Sequence, residues 1–285
     1  MDRTTITPQP LGPDTLTWKN FGDPRALLLT ARTGLLQAMH PAISSALVHQ
    51  SDFFENPWNR LLRSAGPILG VVYDGPRAPD TGRKVRDFHK GLKGFDDHGG
   101  SWHALQPDVY YWAHATFFDS MMVGSDLFGH PMTAYQQEQA YEESVQWYAM
   151  YGLSMRPVPP NLHAFREYWD HMLHDVLEPT EAVLASLRPE AELPAPFDWM
   201  RGPLWWALKP GVRHVPVWIG RGLLPPEARA LLGLEWSAAE ERALQALFAA
   251  LRASWPLVPS PLKETARARR GRRWIAESQR EALFT

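Results

Sequence analysis

The spacing of hydrophobic positions predicts helices along almost the whole chain. Apolar residues recur every three or four positions in several segments, which is the period of an amphipathic helix. The sequence has no sustained period-two alternation, which a half-buried strand would need, and no Asn-Gly or Asp-Gly turn between apolar runs. The pattern therefore predicts an all-α fold. Its clearest single face consists of Leu162, Phe165, Trp169, Met172 and Val176.

Capping residues and prolines predict where the helices begin. Three helices follow an N-cap residue, and two of these caps precede a proline: Asp23-Pro24, Asn56-Pro57 and Asn161. Two others follow capping-box spacing: Thr133 with Gln136, and Ser237 with Glu240. The predicted helices cover residues 25–39, 41–48, 58–73 with a kink at Pro67, 83–93, 107–128, 135–151, 162–177 and 241–254.

Composition narrows the class of protein. With 285 residues and 45% hydrophobic residues, the chain is long enough for one domain with a large core. The absence of cysteine excludes disulfides, Cys-ligated zinc, iron–sulfur clusters and thiolate-ligated haem. A polar N-terminus and the lack of an apolar run of membrane-spanning length predict a cytoplasmic protein without a membrane span. A net charge of −2 predicts no nucleic-acid partner.

Two parts of the chain have an unusual composition. The stretch 189–226 is rich in proline and carries four tryptophans, so it is predicted to be the least regular part of the chain, an ordered crossing segment. Residues 267–273 contain five arginines. A basic run this short is typical of a solvated helix, so we expect helical structure there rather than a nucleic-acid site.

His89 is the first candidate for chemistry. In the predicted helix 83–93, Val85, Phe88, His89 and Leu92 have the spacing of one apolar face. A histidine on such a face either bonds to backbone as part of the core or binds a ligand as a neutral imidazole. Gly91 and Gly94 either make room for a flat ligand or end the helix. Basic neighbours that could pair with an anionic ligand are Arg86, Lys90 and Lys93.

Two further clusters place polar groups on predicted helices. Arg60, Arg63 and Ser64 share one helical face, either as a ligand-facing cluster or as a surface stripe. His114 and Thr116 interrupt a helix that is apolar nearly all round, which predicts a central position for that helix. They either bond within their own helix or face a ligand. The sequence contains no His-Glu-x-x-His, phosphate-loop or Gly-x-Ser-x-Gly motif.

A series of short motifs indicates a family resemblance. Each motif is weak by itself, but their order along the chain is specific. The series consists of His40-Pro41, His49-Gln50-Ser51-Asp52-Phe53, Pro57, Arg60-Leu61, Val85 to Gly94 with His89, Trp112-Ala113-His114-Ala115-Thr116, Asp119-Ser120, Tyr141-Glu142-Glu143, Phe165-Arg166-Glu167-Tyr168-Trp169 and Leu224-Pro225-Pro226. By this series the chain resembles the mpaB-like oxygenase family, which includes the catalytic domain of the rubber oxygenases called latex clearing proteins. The resemblance covers residues 21–256, with 1–20 as an N-terminal extension and 257–285 as a basic, helical C-terminal tail.

The resemblance implies a single-domain helical bundle with a globin-like core around one haem b. His89 falls at the proximal iron ligand. Arg60, Arg63 and Ser64 fall on a distal Arg-x-x-Lys-Thr motif, with Arg in place of Lys and Ser in place of Thr. His114 or Thr116 falls near a further distal position. The distal glutamate of the rubber oxygenases has no counterpart among residues 42–46, which argues against polyisoprene cleavage but not against haem.

These features lead to a haem b-dependent oxygenase or oxidoreductase as the first hypothesis. It would act on a hydrophobic small molecule with dioxygen or peroxide. Arg60 and Arg63 would polarise the oxygen or anchor a propionate, and His114 could donate a hydrogen bond to the oxygen. The residues expected to contact the cofactor are His89, Arg60, Arg86, Lys93, Phe88 and Trp112. The alternatives are a non-catalytic carrier or sensor of haem or another hydrophobic ligand, and a helical interaction protein without cofactor.

Overall fold

Helices make up most of the chain in the computed structural model, which describes residues 6–51, 57–188 and 194–282. Within these ranges there are thirteen α-helices: α1 (Leu16–Phe21), α2 (Thr30–Ala38), α3 (Pro41–His49), α4 (Pro57–Tyr73), α5 (Ala78–Asp87), α6 (Pro107–Leu127), α7 (Ala134–Ala149), α8 (Leu162–His171), α9 (Glu181–Leu187), α10 (Pro203–Leu223), α11 (Pro226–Leu231), α12 (Ala238–Ser254) and α13 (Ala266–Ala282). A single antiparallel hairpin pairs β1 (Lys93–Phe95) with β2 (Ser101–His103) in the described chain. The predicted all-α class is confirmed, and the small hairpin is an addition to it.

The predicted caps account for several helix boundaries. The Asp23 carboxylate accepts from the backbone N–H of Arg25 at 2.9 Å and starts a 3₁₀ segment, Pro24–Leu29, that leads into α2. The Asn161 side chain accepts from the backbone N–H of Ala164 at the start of α8. Both capping boxes form, at the starts of α7 and α12. The predicted cap Asn56 lies outside the described residues.

The predicted helix over residues 83–93 is wrong in its extent. Helix α5 begins at Ala78 and ends at Asp87, and β1 follows from Lys93. Gly91 has φ +85°, a left-handed conformation that a helix interior does not accept and that glycine adopts without strain. Phe88 is 66% exposed, so the predicted apolar face does not continue past Val85 to include it.

The prediction that the Pro-rich stretch is the least regular part is also wrong. Its central part forms the 21-residue helix α10, with Pro203 in the first turn and Pro210 and Pro216 inside the helix. A proline inside a helix removes one N–H and leaves the carbonyl four residues earlier without a partner. These carbonyls belong to Trp206, which is exposed, and Val212, which is half-buried, so water can satisfy them.

Helix α6 passes through the main core, as its apolar sequence predicts. Its buried side chains lie on all sides of the helix, and they include Tyr111, Trp112 and Phe118. It packs against α1, α2 and α7. Because α6 runs 21 residues, it spans about 30 Å and links regions that are far apart.

The basic C-terminal segment forms α13, which packs against the end of α4. Arg267 donates through Nε to Asp74 Oδ1 at 2.6 Å, and a Cβ on Gly271 would collide with the backbone carbonyl of Tyr73. The described helices include none that is both long and apolar enough to cross a membrane.

Candidate functional site

His89 lies in the turn that follows α5, where its ring is half-buried. Its Nδ1 is 2.8 Å from the carbonyl oxygen of Val85, one helical turn earlier, and must donate because a carbonyl can only accept. Burial lowers the pKa of His89, the hydrogen bond to Val85 raises it in part, and the positive charge of Arg60 lowers it. The imidazole is therefore neutral at pH 7, with the proton on Nδ1 and a lone pair on Nε2.

Tyr110 of α6 packs edge-on against His89, with ring centroids 5.6 Å apart and an interplanar angle of 79°. Sequence reasoning missed this residue. The available signal was its position four residues before His114, which places both side chains on one face of α6. Tyr110 therefore fixes one side of the His89 ring. Because Nδ1 is bonded to Val85, Nε2 is the ring nitrogen without a protein partner in the described chain.

Arg60 lies close enough to His89 for its positive charge to lower the pKa of the imidazole. Arg60 is half-buried in the first half of α4, whereas Arg63 and Ser64 are exposed. Leu61 and Leu62 beside Arg60 are also exposed. This part of α4 therefore has a guanidinium near His89 and two exposed apolar side chains next to it in the sequence.

Three other residues predicted to contact the cofactor, Arg86, Phe88 and Lys93, lie close to His89 in the sequence. Arg86 donates through Nε to Asp87 at 2.8 Å and through Nη1 to the carbonyl of Gly152 at 3.5 Å. Lys93 is exposed at the start of β1, and Phe88 is exposed in the turn. The charge of Arg86 is thus paired with Asp87, Lys93 supplies positive charge at the start of β1, and Phe88 adds exposed apolar surface next to His89 in the sequence.

His114 lies in a different environment. It is 2% exposed, and its Nε2 is 3.0 Å from the carbonyl oxygen and 2.9 Å from the hydroxyl of Ser144 on α7. Burial lowers its pKa to about 3, so the ring is neutral, and Nδ1 has no hydrogen-bond partner among the described residues. Ring contacts connect His114 to His89 through Tyr151 and Tyr110. The structure therefore does not bring His114 into direct contact with His89.

Thr116 and Trp112 face other neighbours. The Thr116 hydroxyl donates to the carbonyl of Ala113 and accepts from the Gln37 side chain at 2.8 Å. Trp112 is fully buried, and its Nε1 donates to the carbonyl of Leu36 at 3.2 Å. Both bind α2, whereas His114 binds α7. The three residues of the Trp112–Thr116 motif thus tie α6 to its neighbours on opposite sides and do not converge on one site.

No group of three or more His, Asp or Glu side chains in the described ranges could hold a metal ion. A metal bound by His89 would therefore need most of its ligands from a non-protein group. A neutral imidazole whose Nδ1–H is fixed by a backbone carbonyl is the arrangement that orients Nε2 for metal binding. The donor chemistry at His89 thus fits a prosthetic group that carries its own metal ligands.

Comparison with known proteins gives one family and two relatives. Residues 18–253 match the family model described as ER-bound oxygenase mpaB/B'/Rubber oxygenase, catalytic domain. An uncharacterized protein of Mycobacterium bovis and an uncharacterized protein of Mycobacterium tuberculosis are each 24% identical to the chain over 242 residues, which is 82% of this chain and 90% of the relative. No solved structure matches the chain.

Proposed function

The chain belongs to the family of mpaB and rubber oxygenase catalytic domains, and from this membership we propose that it is a haem b-dependent oxygenase in which His89 binds the iron. The family assignment confirms the resemblance seen in the ordered motifs. The observation that carries the cofactor proposal is the His89 imidazole, which has Nδ1 fixed 2.8 Å from the Val85 carbonyl and Nε2 without a protein partner in the described chain.

The residues around His89 suit a haem. A haem supplies four nitrogen ligands, so the protein needs to contribute only one axial imidazole. His174 has the same Nδ1-to-carbonyl bond as His89, but His174 is exposed on the surface, whereas His89 is half-buried. Arg60, Arg86 and Lys93 would hold the propionates through their charges. Phe88, Leu61 and Leu62 would cover the apolar edge of the macrocycle and gain burial by doing so.

When bound, haem would supply a redox-active iron at which dioxygen or peroxide can react with a substrate. The chain itself would hold His89 in one tautomer through Val85, keep it neutral by burial and orient its ring against Tyr110. Arg60 would place a positive charge close to the reacting oxygen or to a propionate. The exposed apolar side chains of α4 favour a hydrophobic small molecule as substrate.

A spectrum tests the iron ligand. We expect the protein expressed with ample haem precursor to show a Soret band, and His89→Ala to lose or shift that band. Adding imidazole to His89→Ala should restore the spectrum, because free imidazole can occupy the space of the deleted ring. His171→Ala is the control, since His171 is exposed on the far end of α8 and bonds to Asp175. Wild-type haem content and spectrum in His89→Ala would contradict the assignment.

Activity separates the oxygenase from a haem carrier. We expect the haem-loaded protein to consume oxygen with a reductant and a hydrophobic substrate, and Arg60→Gln to lower the rate per molecule of bound haem. A protein that binds haem through His89 but never consumes oxygen would support a carrier or sensor instead.

A further inference from the structure

We propose that a second cleft binds a small organic anion with an apolar body. The cleft lies between α1, the C-terminal end of α6, the start of α7 and the segment from Trp255 to Lys263, and its volume is about 460 Å³. Sites for small ligands have volumes of roughly 300–1,000 Å³. The proposal is independent of haem, because it rests on a different group of residues.

The floor of the cleft combines two aromatic rings with a buried arginine and its carboxylate partner. The Arg25 guanidinium lies 4.5 Å from the ring centre of Phe128 and 4.0 Å from that of Trp255, and all three residues line the cleft. Asp23 pairs with Arg25 at 2.6 Å, and the Arg25 side chain is only 4% exposed. The carboxylate of Asp23 is thus neutralised inside the floor, and the aromatic rings form a preorganised apolar surface.

Two lysines give the cleft its charge. Lys19 donates to the backbone carbonyl of Asp14 at 2.8 Å, and Lys263 donates to the backbone carbonyl of Pro256 at 3.4 Å. In the part of the chain that the structure describes, neither ammonium group pairs with a carboxylate. Both lysines therefore keep a full positive charge that is available to a bound anion.

The surroundings do not cancel this charge. A smaller adjoining cleft of about 220 Å³ shares Lys19 and Lys263 with the first, and its carboxylate, Glu264, pairs with Arg272 at 2.9 Å. The two lysines thus lie where the clefts meet, and the two carboxylates that line the clefts, Asp23 and Glu264, are each paired with an arginine. This arrangement favours a carboxylate or phosphate head near the lysines and an apolar body against Trp255, Phe128 and Met132.

The cleft is remote from His89. Tyr110, which contacts His89, and Phe128, which lines the cleft, are 18 residues apart along α6 and its C-cap, or about 27 Å at 1.5 Å per residue. A ligand that fits within a cleft of about 460 Å³ cannot extend over this distance to His89. The cleft is therefore a separate binding site and not an extension of the candidate haem site.

Calorimetric titration with 4-phenylbutyrate at low salt tests the proposal. We expect one site per chain, and at least about tenfold weaker binding of 4-phenylbutan-1-ol, which has the same body without the charge. The double variant Lys19→Gln, Lys263→Gln should also bind 4-phenylbutyrate at least about tenfold more weakly, whereas Lys19→Arg, Lys263→Arg should stay within about twofold of wild type. Lys84→Gln, at an exposed position on α5, is the matched control.

A methyl NMR spectrum locates the ligand, because the Met132 methyl group lines the cleft and should shift during the titration. Inorganic phosphate alone should bind far more weakly than 4-phenylbutyrate, since it lacks the apolar body. The proposal is overturned if wild type shows no binding up to about 10 mM, if the alcohol binds as well as the acid, or if the Gln variant binds like wild type.

Discussion

Burial keeps three histidines neutral, but it does so for different purposes. Each of the three bonds to backbone through one ring nitrogen. In the described chain His89 leaves Nε2 free at a half-buried position, whereas the free Nδ1 of His114 is fully buried. His40 accepts from the backbone N–H of Ala42 at the start of α3, and burial lowers its pKa to about 4. Neither a depressed pKa nor a free ring nitrogen alone therefore marks the candidate ligand; the half-buried position of Nε2 and the nearby Arg60 do.

The depressed pKa of His114 predicts acid sensitivity. Its pKa is about 3 in the folded protein and 6.5 in the unfolded chain, so below pH 6.5 the unfolded state binds a proton that the folded state does not. The free energy of unfolding should fall as the pH falls from 6.5 towards 3, and this residue alone should account for about 2 kcal/mol between pH 7 and pH 5.

Urea denaturation at pH 7 and pH 5 measures this effect. In His114→Gln the loss of stability between the two pH values should shrink by about 2 kcal/mol, whatever the variant does to stability at pH 7. His214→Gln, at an exposed position on α10, is the control. An unchanged pH dependence in His114→Gln would show that the ring is not held neutral.

Single residues could be predicted from sequence where their partners are local. The caps at Asp23, Asn161 and Ser237 bond within three residues, so spacing alone identified them. The bond from His89 to Val85 also spans only four residues. The partners of His114 and Thr116, in contrast, lie on other helices, and no spacing in one sequence could place Ser144 or Gln37 beside them.

At the scale of elements, prediction failed where one residue type is compatible with two local structures, as glycine and proline are here. Gly91 could end a helix or admit a ligand, but α5 already ends at Asp87, and the positive φ of Gly91 belongs to the turn between α5 and β1. Prolines normally break helices, yet α10 continues through Pro210 and Pro216 because much of it is exposed to water. The extra hairpin is only three residues per strand, too short for a period-two pattern to show.

Helix α13 offers a prediction at the same scale. Gly271 lies against the backbone carbonyl of Tyr73 and the ring of Trp18, so a branched side chain there would push α13 away from α4. We expect Gly271→Val to lower the free energy of unfolding by about 2–3 kcal/mol. Amide exchange should rise across α13. Gly211→Ala in α10, where a Cβ would meet nothing within 4 Å, is the control and should not destabilise the protein.

At the scale of the whole molecule, a buried ion pair joins three helices. Arg32 of α2 is 2% exposed. It pairs with Asp119 of α6 at 2.6 Å and donates to the carbonyl of Leu223 at the end of α10 at 2.8 Å. The ordered motifs included Asp119-Ser120, but the sequence could not identify Arg32 as its partner, because 87 positions separate them. This junction holds α10 against the core through contacts between residues far apart in the sequence, which no short motif indicates.

Asp119→Asn tests how far the molecule depends on this junction. The substitution keeps the shape of the side chain but leaves the buried Arg32 guanidinium without its carboxylate, which should lower the free energy of unfolding by about 3 kcal/mol. Urea denaturation at pH 7 measures the loss, and faster amide exchange near residue 223 should show that α10 loosens. Asp198→Asn removes an exposed partner of Arg201 and should change neither measurement, because surface pairs contribute little. Equal effects of the two substitutions would show that solvent, and not Asp119, compensates the charge of Arg32.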